Sequence, residues 1–69
     1  MYFANAQPCW RLRFGNEEDA KEAYNELDQM LPSIRLVLSK DFVFVYSTSK
    51  RVEDIVLTIS QKYDAFSIK

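Results

Sequence analysis

The five residues "FVFVY" at positions 42–46 constrain the fold of this 69-residue chain more than any other stretch. Their alternation is typical of a β-strand, in which successive side chains point to opposite faces. Both faces of this strand are apolar, one aromatic and the other valine. A strand that is apolar on both faces fits the centre of a sheet. The sequence therefore predicts a sheet with this strand at a central position.

Three further segments read as strands. Residues 9–14 and 33–39 alternate between apolar and polar side chains, and residues 65–69 close the chain as a short strand. Two helices are predicted between these strands. Asn16 is expected to cap the first helix, whose first turn is acidic, and Pro32 to end it. Its apolar face is Ala20, Ala23, Tyr24, Leu27, Met30 and Leu31.

The second helix is expected to begin after Thr48 or Ser49. Its apolar face is Val52, Ile55, Val56, Ile59 and Tyr63. The order β-α-β-β-α-β predicts an α+β, ferredoxin-like sandwich, in which two helices cover one face of a four-stranded antiparallel sheet. The first and third strands are then central. Residues 1–8 are expected to form a loosely ordered N-terminal arm, and residues 9–69 a single domain.

One sheet face is left open in this arrangement, and each strand should turn its more apolar side to the helices. Trp10, Leu12 and Phe14 then face inward, as do Ile34, Leu36 and Leu38. For the third strand we expect the β-branched Val43 and Val45 inside, because they pack tightly against helices. The alternative is an aromatic core. The residues predicted to bind a partner on the open face are Arg11, Arg13, Arg35, Lys40, Phe42, Phe44 and Tyr46.

The stretch "KDFVFVYS", residues 40–47, resembles the third-strand signature of RNA-recognition-motif domains. The residues on that motif's basic and stacking positions are Lys40, Phe42 and Phe44. Asp41 replaces the usual glycine, Ser47 stands where a core aromatic is expected, and the first strand has arginine in place of an exposed aromatic. The resemblance implies the ferredoxin-like topology and an open face that binds single-stranded RNA or DNA.

Charge is unevenly distributed, although the net charge is only −1. Residues 16–31 hold six acids and one base, and the rest of the chain holds four acids and eight bases. A total near zero disfavours strong non-specific binding to nucleic acid. The acidic face of the first helix is Glu17, Glu18, Glu22 and Glu26. It could engage a basic partner, or it could only keep the helix solvated.

Lys50 and Arg51 fall in the first turn of the second helix, where positive charge opposes the helix dipole. They are candidates for an anion contact, and the alternative is a small cost without function. The chain has one cysteine, Cys9, and no histidine, so neither a disulfide framework nor a zinc site is expected. No other metal site and no cofactor are predicted.

No nucleophile has an evident activating base, and no glycine-rich phosphate loop is present, so we expect no enzymatic activity. The sequence shows no signal peptide and no membrane span, which favours a cytoplasmic protein without a membrane partner.

The favoured function is an inhibitor or adaptor that binds a larger macromolecular complex through its open sheet face and acidic helix. Its partner is expected to be a protein, since the longest charged surface is acidic. Small phage-encoded inhibitors of host defence offer an analogy in size and composition. One alternative is a module that binds single-stranded RNA or DNA. Another is a structural homodimer through the sheet face.

Overall fold

The computed structural model describes residues 10–47 and 49–68. Its elements are β1 (Trp10–Arg13), α1 (Glu17–Met30), β2 (Arg35–Ser39), β3 (Phe42–Tyr46), α2 (Lys50–Lys62) and β4 (Phe66–Ile68). The predicted α+β class and βαββαβ order are confirmed. The arm predicted for residues 1–8, together with Cys9 and Thr48, lies outside the described residues.

The strands form one antiparallel sheet in the order β2-β3-β1-β4. As predicted, β1 and β3 are central. In their register Leu12 lies opposite Val43, and Arg11 lies opposite Phe44. Because directly opposed residues project to the same face of a sheet, apolar side chains gather on one side and arginines with aromatics on the other.

Both helices pack on the side of the sheet that carries the valines. Val43 and Val45 are fully buried, which confirms that the aromatic residues of β3 face away from the helices. The other buried apolar residues are Trp10, Leu12, Phe14, Ala20, Ala23, Leu27, Leu31, Val52, Val56 and Ile59. Within residues 10–47 and 49–68, helices cover only this side of the sheet.

The first helix begins and ends as its sequence predicts, with one correction to its buried face. Asn16 is the N-cap, and its side-chain oxygen accepts a hydrogen bond from the Asp19 N–H at 2.8 Å. Met30, expected inside, is 49 % exposed. Met30 is the last residue of the helix, and the adjoining Leu31, also expected inside, is buried and supplies the final core contact at this end.

The second helix begins after Ser49, one of the two predicted caps, but the Ser49 side chain makes no capping hydrogen bond. Instead the Ser47 hydroxyl oxygen accepts from the Ser49 N–H at 3.2 Å. Near its other end, Lys62 Nζ lies 2.9 Å from Glu26 Oε1 of α1. The described residues include no helix that is long and apolar enough to cross a membrane.

Candidate interaction surface

The side of the sheet opposite the helices, hereafter the open sheet face, is the main candidate site. It presents alternate residues of all four strands. They are Arg11 and Arg13 of β1, Arg35, Val37 and Ser39 of β2, Phe42, Phe44 and Tyr46 of β3, and Phe66 of β4. The structure therefore brings together six of the seven residues predicted for this face, and Lys40 is the exception.

Strand register arranges these side chains in rows that run across the sheet. Arg13 lies between Phe42 on β3 and Phe66 on β4. In the next row Phe44 lies between Val37 on β2 and Arg11 on β1. Arginine and apolar groups thus alternate across the strands, with the arginines of β1 set between apolar side chains of the neighbouring strands, since side chains directly opposite each other lie within contact distance.

The aromatic rings of the open sheet face are already ordered by contacts within the protein. The Phe42 and Phe44 ring centroids are 5.7 Å apart with an interplanar angle of 14°. Arg13 Cζ lies 5.9 Å from the Phe42 centroid, and Arg35 Cζ lies 5.3 Å from the Tyr46 centroid. Cation–π contacts of this kind contribute about 0.5–1 kcal/mol at exposed sites. They restrict the arginine side chains before any partner binds.

The open sheet face is positively charged. It carries three arginines, and none of its described residues is acidic. The nearest carboxylate is that of Asp41 in the β2–β3 turn, whose Oδ2 lies 3.5 Å from Arg13 Nε. Because the Arg13 side chain is 61 % exposed, water screens this ion pair and the guanidinium stays accessible.

Phe66 is a surface residue that the sequence analysis missed. It is 75 % exposed and lies directly opposite Arg13. Strand β4 was predicted, but the register that places Phe66 beside an arginine depends on the pairing of β4 with β1. An apolar side chain with this exposure enlarges the aromatic part of the open sheet face.

Lys40 lies apart from the other predicted binding residues. It occupies the turn between β2 and β3 with a φ of 55°, a backbone conformation that residues other than glycine adopt infrequently. With Leu38 and Lys21 it lines a groove beside the acidic start of α1. The structure thus places Lys40 next to Glu17 and Glu18, outside the strands of the open sheet face.

Lys50 and Arg51 lie in the helix layer, on the opposite side of the sheet from the open sheet face. Both are exposed at the start of α2. Lys50 Nζ lies 3.9 Å from Glu53 Oε1, and Arg51 lines a surface groove with Met30 and Ile34. Their proposed anion contact therefore forms no part of the open sheet face.

Glu26 differs from the other acids of α1. Glu17, Glu18 and Glu22 are exposed, whereas Glu26 accepts hydrogen bonds from Lys62 and from the Tyr63 hydroxyl. Those bonds, first from Tyr63 and then from Lys62, lower the pKa of Glu26. Donation to the carboxylate raises the pKa of Tyr63 to about 12. Glu26 thus joins the two helices, and three glutamates remain as an exposed acidic surface.

Comparison of the chain with protein-family models, with curated proteins and with solved structures found no match. The βαββαβ order and the four-stranded antiparallel sheet are present as expected from the sequence, and no family model supports the resemblance to RNA-recognition-motif domains. Within the described residues, no group of histidine, cysteine, aspartate or glutamate side chains could hold a metal ion.

Proposed function

We propose that this chain is a non-enzymatic binding protein that docks its open sheet face on an acidic surface of another protein. In that role it acts as an inhibitor or adaptor of a larger macromolecular complex. The observation that carries the proposal is the set of three arginines interleaved with aromatic residues on a face without acids. Arginine and aromatic residues dominate binding energy at protein interfaces.

The geometry of the phenylalanines favours a protein over a nucleic acid as the partner. A base stacks on an aromatic side chain only where a ring face is accessible. The Phe42 ring has Phe44 on one side and the Arg13 guanidinium near it. Such an ordered cluster suits a protein interface, because side chains that are already fixed lose little entropy when a partner binds.

A homodimer stacked through the open sheet face is less well supported. Stacking two copies would bring Arg11, Arg13 and Arg35 of one copy against the same residues of the other. Each face lacks acids, so the six guanidinium groups would have no carboxylate from the opposite face. Like charges brought together at an interface cost several kcal/mol.

Single-stranded nucleic acid is the second candidate partner, and Phe66 is the observation that favours it. The ring is 75 % exposed and lies beside Arg13, so a base could stack on the ring while the guanidinium binds the phosphate. Stacking of this kind contributes roughly 1–3 kcal/mol per base. The resemblance of residues 40–47 to the RNA-recognition motif supports the same candidate.

Affinity capture from the source cell tests the proposal when three baits are compared. They are the native chain, the face variant Arg11→Glu/Arg13→Glu, and the matched control Lys50→Glu/Arg51→Glu. The two variants make the same change in net charge on opposite sides of the sheet. We expect the native chain and the control to capture a protein that the face variant does not capture. Equal retention by all three baits would contradict docking through this face.

A titration with labelled single-stranded RNA and DNA at two salt concentrations separates the two partner classes. Contacts with phosphates make affinity fall steeply as salt rises. We expect no binding that depends on Arg11 and Arg13. Salt-sensitive binding that Arg11→Glu/Arg13→Glu abolishes and Lys50→Glu/Arg51→Glu preserves would establish the nucleic-acid alternative in place of the protein.

The double variant Phe42→Ser/Phe44→Ser tests whether the aromatic cluster supplies binding energy. We expect the chain to remain folded, because neither residue belongs to the buried core, at a cost of about 0.2–1 kcal/mol for each lost cross-strand pair. Capture of the partner should fail, whereas it should persist with Leu57→Ser, which removes an exposed apolar residue of α2. Thermal melting and mass are measured together. An unfolded monomer would show that the aromatics stabilise the fold.

A further inference from the structure

We propose that two copies of the chain pair through the outer edges of β2, antiparallel about a twofold axis at Val37, to form one continuous sheet. This inference goes beyond the proposed function and concerns the β2 edge of the sheet. In the order β2-β3-β1-β4, the described strands leave two edges, one on β2 and one on β4. An edge presents unpaired backbone groups that can bind a further strand.

One backbone hydrogen bond fixes which groups of β2 face outward. The Phe14 N–H donates to the Asp41 carbonyl oxygen at 2.8 Å and continues the β1–β3 register. In an antiparallel strand, the N–H and C=O groups of successive residues point alternately to the two neighbouring strands. Val43 and Val45, like Asp41, therefore direct their N–H and C=O groups toward β1. The intervening residues of β3 bond to Arg35, Val37 and Ser39 of β2. Leu36 and Leu38 therefore turn their N–H and C=O groups to the outer edge.

The outer edge of β4 is shorter by the same reasoning. Arg11 and Arg13 of β1 turn their polar groups toward β4, where they meet Ile68 and Phe66. Only Ser67 among the three residues of β4 then directs its groups outward. Strand β2 offers two such residues and has no proline or lysine within Arg35–Ser39. Its one charged side chain is that of Arg35 at one end, so the middle of this edge lacks the charges and prolines by which many proteins protect an edge.

Antiparallel pairing about Val37 satisfies these outward groups. It sets Leu36 of each copy opposite Leu38 of the other, and each of these two pairs can exchange both backbone hydrogen bonds. The leucine side chains, which are half-buried on the helix side, would gain an apolar neighbour. The two Val37 side chains would meet on the open sheet face.

Charge placement selects this register. Centring the pair on Val37 puts Arg35 of one copy opposite Ser39 of the other, so the arginines lie at opposite ends of the interface. Centring it on Arg35 would set two arginines directly against each other, which is destabilising. Centring it on Leu36 or Leu38 would keep the leucines on the helix side but would set one leucine opposite Ile34, whose N–H already donates to Leu31 O, or opposite Lys40 in the turn, so fewer backbone hydrogen bonds would form. A second copy is therefore a complementary occupant of this edge.

Disulfide trapping tests the register directly, in a Cys9→Ser background. The two Val37 residues form a pair without mutual hydrogen bonds, for which the Cα–Cα distance is about 4.5 Å, within the range of a disulfide. We expect Val37→Cys to form a disulfide dimer readily. Arg35→Cys and Ser39→Cys should not do so alone, but should crosslink with each other when mixed. Equal crosslinking of all three single variants would overturn the proposal.

Mass measured by light scattering over a range of concentrations supplies an independent test. Val37→Lys sets two lysines against each other at the axis, so it should be monomeric where the native chain is dimeric. The control Ser67→Lys lies on the outer edge of β4 and should remain dimeric. Circular dichroism confirms that each variant is folded. A native chain that stays monomeric throughout, or a dimer that Val37→Lys does not weaken, would refute pairing through β2.

Discussion

Leu27 and Met30 lie in the same helix, and replacing each by alanine should give sharply different losses of stability. The Leu27 side chain is fully buried, whereas Met30 is 49 % exposed. Leu27→Ala should cost about 2–5 kcal/mol, since it removes buried methyl groups and leaves a cavity. Met30→Ala should change stability by less than about 0.5 kcal/mol, as expected for a surface substitution.

Because the domain is small, the free energy lost in Leu27→Ala is a large part of its total free energy of unfolding. At the usual 0.05–0.15 kcal/mol per residue, 69 residues have a free energy of unfolding of roughly 3–10 kcal/mol. Leu27→Ala would therefore remove about half of that stability, taking the middle of each range. Because the urea midpoint is the free energy of unfolding divided by the slope, the midpoint should fall in the same proportion if the slope is unchanged.

Urea unfolding followed by tryptophan fluorescence measures both losses. Trp10 is the single tryptophan and is 6 % exposed, so its emission reports the transition. Similar losses of stability in the two variants would refute the burial assigned to Leu27. A loss of less than about 0.5 kcal/mol in Leu27→Ala, the level of a surface change, would refute it as well. Either result would mean that α1 turns a different face to the sheet.

Three further predictions follow from contacts in the core and at the helix ends. The native emission of Trp10 should be blue-shifted, and emission like that of free indole would mean that β1 is inverted. Asn16→Ala should lower the free energy of unfolding by about 1 kcal/mol, measured by urea unfolding. Asn16→Asp should lower it much less, because aspartate also caps helices. Equal losses in the two variants would show that the Asn16 side chain does not cap the helix. Because the hydrogen bond to Glu26 raises the pKa of Tyr63, this bond contributes stability that is fully present below pH 10 and is lost as pH rises toward about 12. The lowered pKa of Glu26 implies stability present above its ordinary value of 4.5 and lost as pH falls through the lower folded value. The test is to measure the urea midpoint as a function of pH. The loss of stability at high pH should disappear in Tyr63→Phe, and the loss at low pH should disappear in Glu26→Gln. Unchanged profiles would contradict the hydrogen bond between Tyr63 and Glu26.

Periodicity was sufficient to predict the order of elements and the orientation of β1, whereas the orientation of β3 rested on the packing preference of its β-branched valines. The alternation around Val43 and the helical spacing around Leu27 are local patterns that tertiary packing did not override. Boundaries were less predictable. Strand β2 begins at Arg35 and not at residue 33, because the Ile34 N–H donates to Leu31 O in a turn.

The parts of the surface that depend on distant pairing were not predictable. Phe66 lies beside Arg13 only because β4 pairs with β1 in one register, and no local pattern encodes that register. Glu26 looked like one acid among several on α1. Its partners Lys62 and Tyr63 are 36 and 37 residues away in sequence, so only the packed helices reveal the contact.

The sheet separates charges of opposite sign, with arginines on its open side and exposed glutamates on the helix layer. Because the net charge is only −1, a distant anionic target would exert little pull on the molecule as a whole. It would nevertheless exert a torque, turning the helix layer away and the arginines forward. At an ionic strength of about 0.1 M this alignment extends roughly 10 Å, the Debye length. Added salt should therefore slow the formation of a complex more than it speeds its dissociation.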